Sequence, residues 1–168
     1  MIREQHGNLL GADVDALVNT VNTVGVMGKG IALQFKRAFP ENYKAYKRAC
    51  DAGEVDLGHM FIWDAGAIAV DGPRFVINFP TKRHWRSNST IADIQAGLED
   101  LVRHFKHLSI RTVAVPALGR GHGGLRWGEV QPLIVAAFEQ LPDVDVLLYP
   151  PEGAPAAAEQ PALTERPR

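Results

Sequence analysis

A single cysteine, Cys50, stands among 168 residues, in a stretch of helical pattern. Neither a disulfide within the chain nor a cysteine-rich zinc site can be built from it. Cys50 reads as inert packing, and no metal or cofactor is expected. Nothing approaches the run of about 18 apolar residues that crosses a membrane, and no basic leader precedes an apolar run. A soluble cytoplasmic protein with no membrane contact is the expectation. Net charge is only −1, so nucleic acid could be met by a local patch but not by the molecule as a whole. Carboxylates are missing from the loops rich in glycine and in basic residues, which leaves no obvious pair for a two-carboxylate glycosidase. No Ser/His/Asp arrangement and no internal repeat stand out.

What is present suffices for one domain. Hydrophobic residues make up 46% of the chain, enough for a real core. Strand patterns fall at Met1 to Gln5, Ala16 to Thr20, Met60 to Trp63, Phe75 to Phe79, Thr112 to Val115 and Val144 to Tyr149. Asp71-Gly72 between the third and fourth is a hairpin signal. Apolar residues at helical spacing mark Ile31 to Phe39, a second helix opened by Pro40 and running towards Gly53, Ile91 to Leu108, and Glu129 to Leu141 with Pro132 in its first turn. Interleaved strands and helices argue for an α/β fold, a mixed sheet with helices on both faces. Residues 150–168 hold five prolines and five alanines without an apolar period. The expected division is a domain over 1–150 and a disordered tail or linker over 151–168.

Ligands in such folds gather at the carboxyl ends of strands, and three loops qualify. The first follows Thr20 and Val21. It holds Asn22, then Gly25, Gly28, Lys29 and Gly30, and it opens a helix at Ile31. Glycines let the backbone approach a ligand, and unpartnered N–H groups at a helix start favour an anion. Asn22 can offer a donor and an acceptor to a sugar, whereas Asn19 is expected to bond its own backbone as a turn former. Lys29 is either a solvated residue or a phosphate contact. A P-loop is rejected, because Thr23 and Gly30 fall where the motif needs glycine and Ser/Thr.

The second loop, Gly119-Arg-Gly-His-Gly-Gly124, matches G-x-G-x-x-G between a strand and a helix. Only one strand follows it, too little chain for a dinucleotide-binding half, so a loop that wraps phosphate or ribose is the better reading. The third loop reads Asn78-Phe-Pro-Thr-Lys-Arg-His-Trp-Arg86. Basic side chains interleaved with an aromatic can hold a phosphate and stack a base. Lys82, crowded by Arg83 and Arg86 and partly desolvated, would have a lowered pKa and could act as nucleophile or acid/base group; a phosphate-contacting or surface lysine is the alternative.

Taken together, the three loops resemble those of a macrodomain, the ADP-ribose-binding fold, over roughly Met1 to Pro150. Leu17-Val-Asn-Thr-Val-Asn-Thr23 is similar to the strand and loop that carry the asparagine of the distal ribose. Pro116-Ala-Leu-Gly-Arg-Gly-His-Gly-Gly-Leu125 is similar to the phosphate-wrapping loop. Val24 to Phe35, Asn78 to Lys82 and Gly123-Gly-Leu-Arg-Trp127 resemble the branch formed by DarG antitoxin macrodomains, which remove ADP-ribose from DNA bases modified by the toxin DarT. Terminal ADP-ribose glycohydrolases share the lysine motif.

The resemblance implies a three-layer α/β/α fold with a mixed sheet of about six strands. It implies an N-glycosidic hydrolase acting on ADP-ribosylated single-stranded DNA, with thymidine as the modified base, ADP-ribose as product and a DarT-type toxin as partner. By position, Lys82 would be the catalytic residue. Thr20, Val21 and Asn22 would approach the distal ribose. Gly28, Lys29, Gly30 and Ile31, with Gly119, Arg120, Gly121, His122, Gly123 and Gly124, would hold diphosphate and ribose. Asn8 and Leu9 would lie near adenine, where many macrodomains carry an aspartate. Thr81, His84 and Trp85 would flank the lysine. In the terminal glycohydrolases an aspartate follows in the second glycine loop; here that stretch is His122-Gly123-Gly124. Alternatives from other classes are a module that binds ADP-ribose without cleaving it and a hydrolase of protein-linked ADP-ribose.

Overall fold

The computed structural model describes residues 1–66, 72–119 and 124–152. In chain order it contains β1 (Ile2–Glu4), a 3-10 turn (Leu9–Gly11), β2 (Ala16–Val21), α1 (Gly30–Ala38), α2 (Pro40–Asp51), β3 (Phe61–Asp64), β4 (Phe75–Pro80), α3 (Ile91–His107), β5 (Thr112–Val115), α4 (Trp127–Glu139) and β6 (Asp145–Leu148). The six strands form one mixed sheet in the order β1-β6-β5-β2-β4-β3. Every pairing is parallel except β3 with β4. Antiparallel pairing starts at Asp64 opposite Phe75, so a long connection joins the two strands, and Asp71 of the expected turn lies outside the described residues.

Strand alternation explains the layers. Ala16 and Val18 of β2, with Phe75, Ile77 and Phe79 of β4, pack with Ile94, Leu98 and Leu101 of α3 and Val130 and Ile134 of α4. Leu17 and Val76 point the other way, to Phe35 of α1. Val21 joins Met27, Tyr46 and Ala49 under α2. A parallel sheet covered on both faces reads as nearly continuous apolar strands, and β4 is buried at every position.

Helix ends follow local chemistry. Pro40 starts α2, where its missing N–H is not needed. Thr90 caps α3 by accepting from the Asp93 amide at 3.1 Å. α4 departs from expectation at its start: it begins at Trp127, whose buried indole belongs to the main core, so Pro132 lies in the second turn rather than the first. Among the described residues no helix is long and apolar enough to cross a membrane.

Candidate active site

A cleft of about 500 Å³ opens at the carboxyl ends of the parallel strands. Its walls are Gly7, Asn8 and Leu9 beyond β1, Thr20 of β2, and Ile31 and Gln34 of α1. Pro116 and Ala117 beyond β5 and Tyr149 and Pro150 beyond β6 complete them. β2 and β5 are neighbours here although far apart in the chain, the switch point at which open α/β sheets bind ligands. Asn8, Leu9, Thr20 and Ile31 were anticipated as site residues; Gln34, Ala117 and Tyr149 were not. The signal for Tyr149 was available, since it ends a strand like the other three loops. Burial pushes its phenol above the ordinary value. Asn8 does not point an acid at the cleft; its Oδ1 caps the 3-10 turn by accepting from Leu10 N at 3.1 Å.

α1 begins at the cleft edge without a side-chain cap, because Lys29 stands at the capping position. Gly30 takes φ +59, a conformation open to glycine, and Gly28, Lys29 and Gly30 are all exposed. The first amides of α1 therefore present a partial positive charge.

The loop between β2 and α1 is held from beneath. Oδ1 of Asn22 accepts from the amides of Val24 and Val26 at 3.1 and 3.3 Å, and Nδ2 donates to the Val26 carbonyl at 2.8 Å. The fully buried Tyr46 hydroxyl of α2 lies 2.8 Å from the Asn22 carbonyl and 2.9 Å from its Oδ1. Burial raises the Tyr46 pKa well above the ordinary tyrosine value, so that hydroxyl stays a donor. Asn22 thus shapes its own loop, and one amide hydrogen remains without an acceptor among the described residues.

Lys82 follows β4, next to β2 and beyond the cleft wall. Two bonds stitch the exits together: Thr81 N to the Val21 carbonyl at 2.9 Å and Thr23 N to the Arg83 carbonyl at 3.1 Å. Thr81 is buried and Lys82 is half-buried, with Nζ donating to the Trp85 carbonyl at 3.1 Å. Burial holds the Lys82 pKa below the ordinary lysine value. Repulsion from the arginines is not the cause: Arg83 turns away to an ion pair with Asp56 at 3.3 Å. His84 stacks on Trp85 with ring centroids 3.6 Å apart.

The second glycine loop is pinned at its base. Leu125 N donates to the Gly119 carbonyl at 2.9 Å, and Gly119 is buried at φ +73. Gly124, at φ +80, packs so that a Cβ would sit 3.4 Å from Oδ1 of Asn88, which joins this loop to the one carrying Lys82. Arg120, Gly121, His122 and Gly123 lie outside the described residues.

Sequence reasoning missed a buried amide network. Asn19 does not bond its own backbone as a turn former; it is mid-strand and fully buried, and its Nδ2 donates to Oδ1 of Asn78 at 3.3 Å. Asn78 Nδ2 donates in turn to Oδ1 of Asn42 at 2.8 Å and to the Phe61 carbonyl at 3.1 Å. The network ties β2, β4 and α2 together directly under the two loops. Among the described residues no group of His, Cys, Asp and Glu could hold a metal ion.

An α/β/α sandwich with a cleft at the switch point and an uncapped helix start at the cleft edge defines an α/β domain with a site suited to an anionic group. A family model described as Macro domain matches residues 18–134, and the chain belongs to that family. Within it the likeness is to DarG. The solved macrodomain of Mycobacterium tuberculosis DarG superposes with a TM-score of 0.88 at 58% identity, over 90% of this chain and 99% of that one. Thermosipho africanus DarTG in complex with ADP-ribose gives a TM-score of 0.80 at 36% identity, over 89% of this chain and 41% of that one. The curated DNA ADP-ribosyl glycohydrolase of Mycobacterium tuberculosis is 58% identical over 159 residues, 95% of this chain and 45% of the relative. The chain spans about half the length of the curated relatives it matches first.

Proposed function

We propose that this domain is a DNA ADP-ribosyl glycohydrolase: it removes ADP-ribose from a base of single-stranded DNA, thymidine being the expected base, and so acts as antitoxin to a DarT-type transferase. The C–N bond between the distal ribose and the base breaks. Water adds across it, leaving a hydroxyl on the anomeric carbon and a proton on the base. The half-buried Lys82 at the carboxyl end of β4, on a loop bonded to the one that carries Asn22, is the observation that carries the reading. The amine either adds to the anomeric carbon as the base leaves with a proton, to be displaced by water in turn, or delivers its proton to the departing base while water takes the anomeric carbon. The amides at the start of α1 and the pinned glycine loop are assigned to the diphosphate, Asn22 to the distal ribose, and Asn8 and Leu9 to the neighbourhood of adenine. The names of the curated relatives and the ADP-ribose complex of a DarTG relative support the substrate class.

The test is an ADP-ribosylated oligonucleotide incubated with wild type and Lys82→Ala. The variant is expected to lose about 10²–10⁴ in rate, the usual worth of a positioned acid/base group, while still binding ADP-ribose by calorimetry. Turnover by Lys82→Ala near the wild-type rate would remove the lysine from the mechanism. Wild type that binds ADP-ribose and releases none from DNA would reduce the domain to a reader.

A further inference from the structure

Two adjoining loops carry most of the exposed bulky apolar surface. Among the described residues the large hydrophobics standing into solvent are Met1, Val24, Val26 and Trp85. Val24 and Val26 follow β2 and Trp85 follows β4. Thr23 joins the two loops, its amide and hydroxyl both donating to the Arg83 carbonyl at 3.1 and 3.0 Å. Trp85 is 45% exposed even though His84 stacks on it, so one indole face is covered and the other meets water. Leaving an indole in water is unfavourable, yet this one is braced. Lys82 Nζ holds the Trp85 carbonyl, the Arg86 amide donates to His84 Nδ1 at 3.1 Å, and the Ser87 amide donates to the His84 carbonyl at 2.9 Å. Arg86, next to Trp85 in the chain, is exposed, Arg83 is exposed but paired with Asp56, and no carboxylate occurs from Lys82 to Ser89.

We propose that the His84–Trp85 stack is a platform for a nucleobase neighbouring the modified nucleotide in a single strand, with Arg86 holding an adjoining phosphate. The proposal rests on the glycohydrolase reading and adds a part of the substrate that the hydrolysis itself does not touch. An exposed indole followed in the chain by an exposed arginine fits the alternation of base and phosphate along a strand. A paired duplex keeps its base faces stacked on one another, so the platform selects an unpaired stretch. A protein partner would instead use a contiguous apolar face with its charges at the rim.

The experiment compares an ADP-ribosylated oligonucleotide with an ADP-ribosylated mononucleoside as substrates of wild type, Trp85→Ala and Arg86→Gln. Trp85→Ala is expected to lower kcat/KM at least about tenfold further on the oligonucleotide than on the mononucleoside, with the difference in KM. Arg86→Gln should flatten the slope of log affinity against log salt for the oligonucleotide by about 0.7. Equal losses on both substrates would mean that Trp85 serves only to set Lys82, and would overturn the platform. A second measurement is independent of hydrolysis: quenching of tryptophan fluorescence by an unmodified single-stranded oligonucleotide, with Trp85→Phe as reference. Quenching absent from the reference supports the platform even if wild type cleaves neither substrate, a result that would sink the glycohydrolase reading alone. Identical quenching in both proteins, or none in either, overturns the platform.

Discussion

Lys82 shows how a single side chain can be tuned by depth rather than by neighbours. Its stem is covered where β4 ends, and the nearest arginine in sequence is occupied by Asp56. The pH profile of kcat/KM should therefore show a limb with its midpoint below 10.5, the ordinary lysine value. A nucleophilic amine must be deprotonated, so the rate would rise with pH through that midpoint; a proton donor must be charged, so the rate would fall. A limb that survives in Lys82→Ala would belong to another group. Tyr46 is the companion case, a residue that acts through another. Tyr46→Phe removes the hydroxyl from Asn22 while keeping the buried ring. Since a hydrogen bond contributes about 0.5–1.5 kcal/mol net, ADP-ribose binding should weaken by roughly 2–10-fold. Calorimetry that finds the same Kd would show that Asn22 needs no such support.

Elements are placed by close approach. α3 lies against β4 so tightly that a Cβ at Gly97 would enter the ring of Phe79, which is fully buried. Gly97→Ala should cost about 1–3 kcal/mol, as overpacking does, and a denaturant midpoint equal to wild type would contradict this contact. The result bears on the site, because Phe79 is three residues before Lys82 and a displaced β4 would carry the lysine with it. Gly119 is constrained differently: its positive φ and its bond from Leu125 set the base of the second glycine loop. α4 shows the cost of a rule applied locally. Glu129 looked like a helix start and Pro132 like a first-turn proline, but burying Trp127 draws the helix start back by two residues.

The molecule as a whole brings four strand ends to one cleft, so ligand and fold are linked. ADP-ribose at 100 times its Kd should stabilise the domain by about 2.7 kcal/mol. For a domain of this size that corresponds to a Tm higher by about 5–10 °C in a thermal melt. A melt that does not move with ADP-ribose would count against every assignment made to the cleft. The same assembly explains why one face of the site was harder to anticipate. Tyr149 and Ala117 reach the cleft only because β5 lies beside β2 and β6 beside β5 in the sheet, and their place at strand ends does not by itself say which strand ends meet.

The sequence by itself determined the order of strands and helices and the family, and it singled out Lys82 as a candidate, because periodicity, turn chemistry and short motifs are local properties. Tertiary structure alone decided the strand order, the Asn19–Asn78–Asn42 network, the hold of Tyr46 on Asn22 and the reason for the shifted pKa of Lys82. Each of those depends on residues distant in the chain sharing one buried space, where a hydrogen bond or a lost hydration shell has its effect only after the chain has folded.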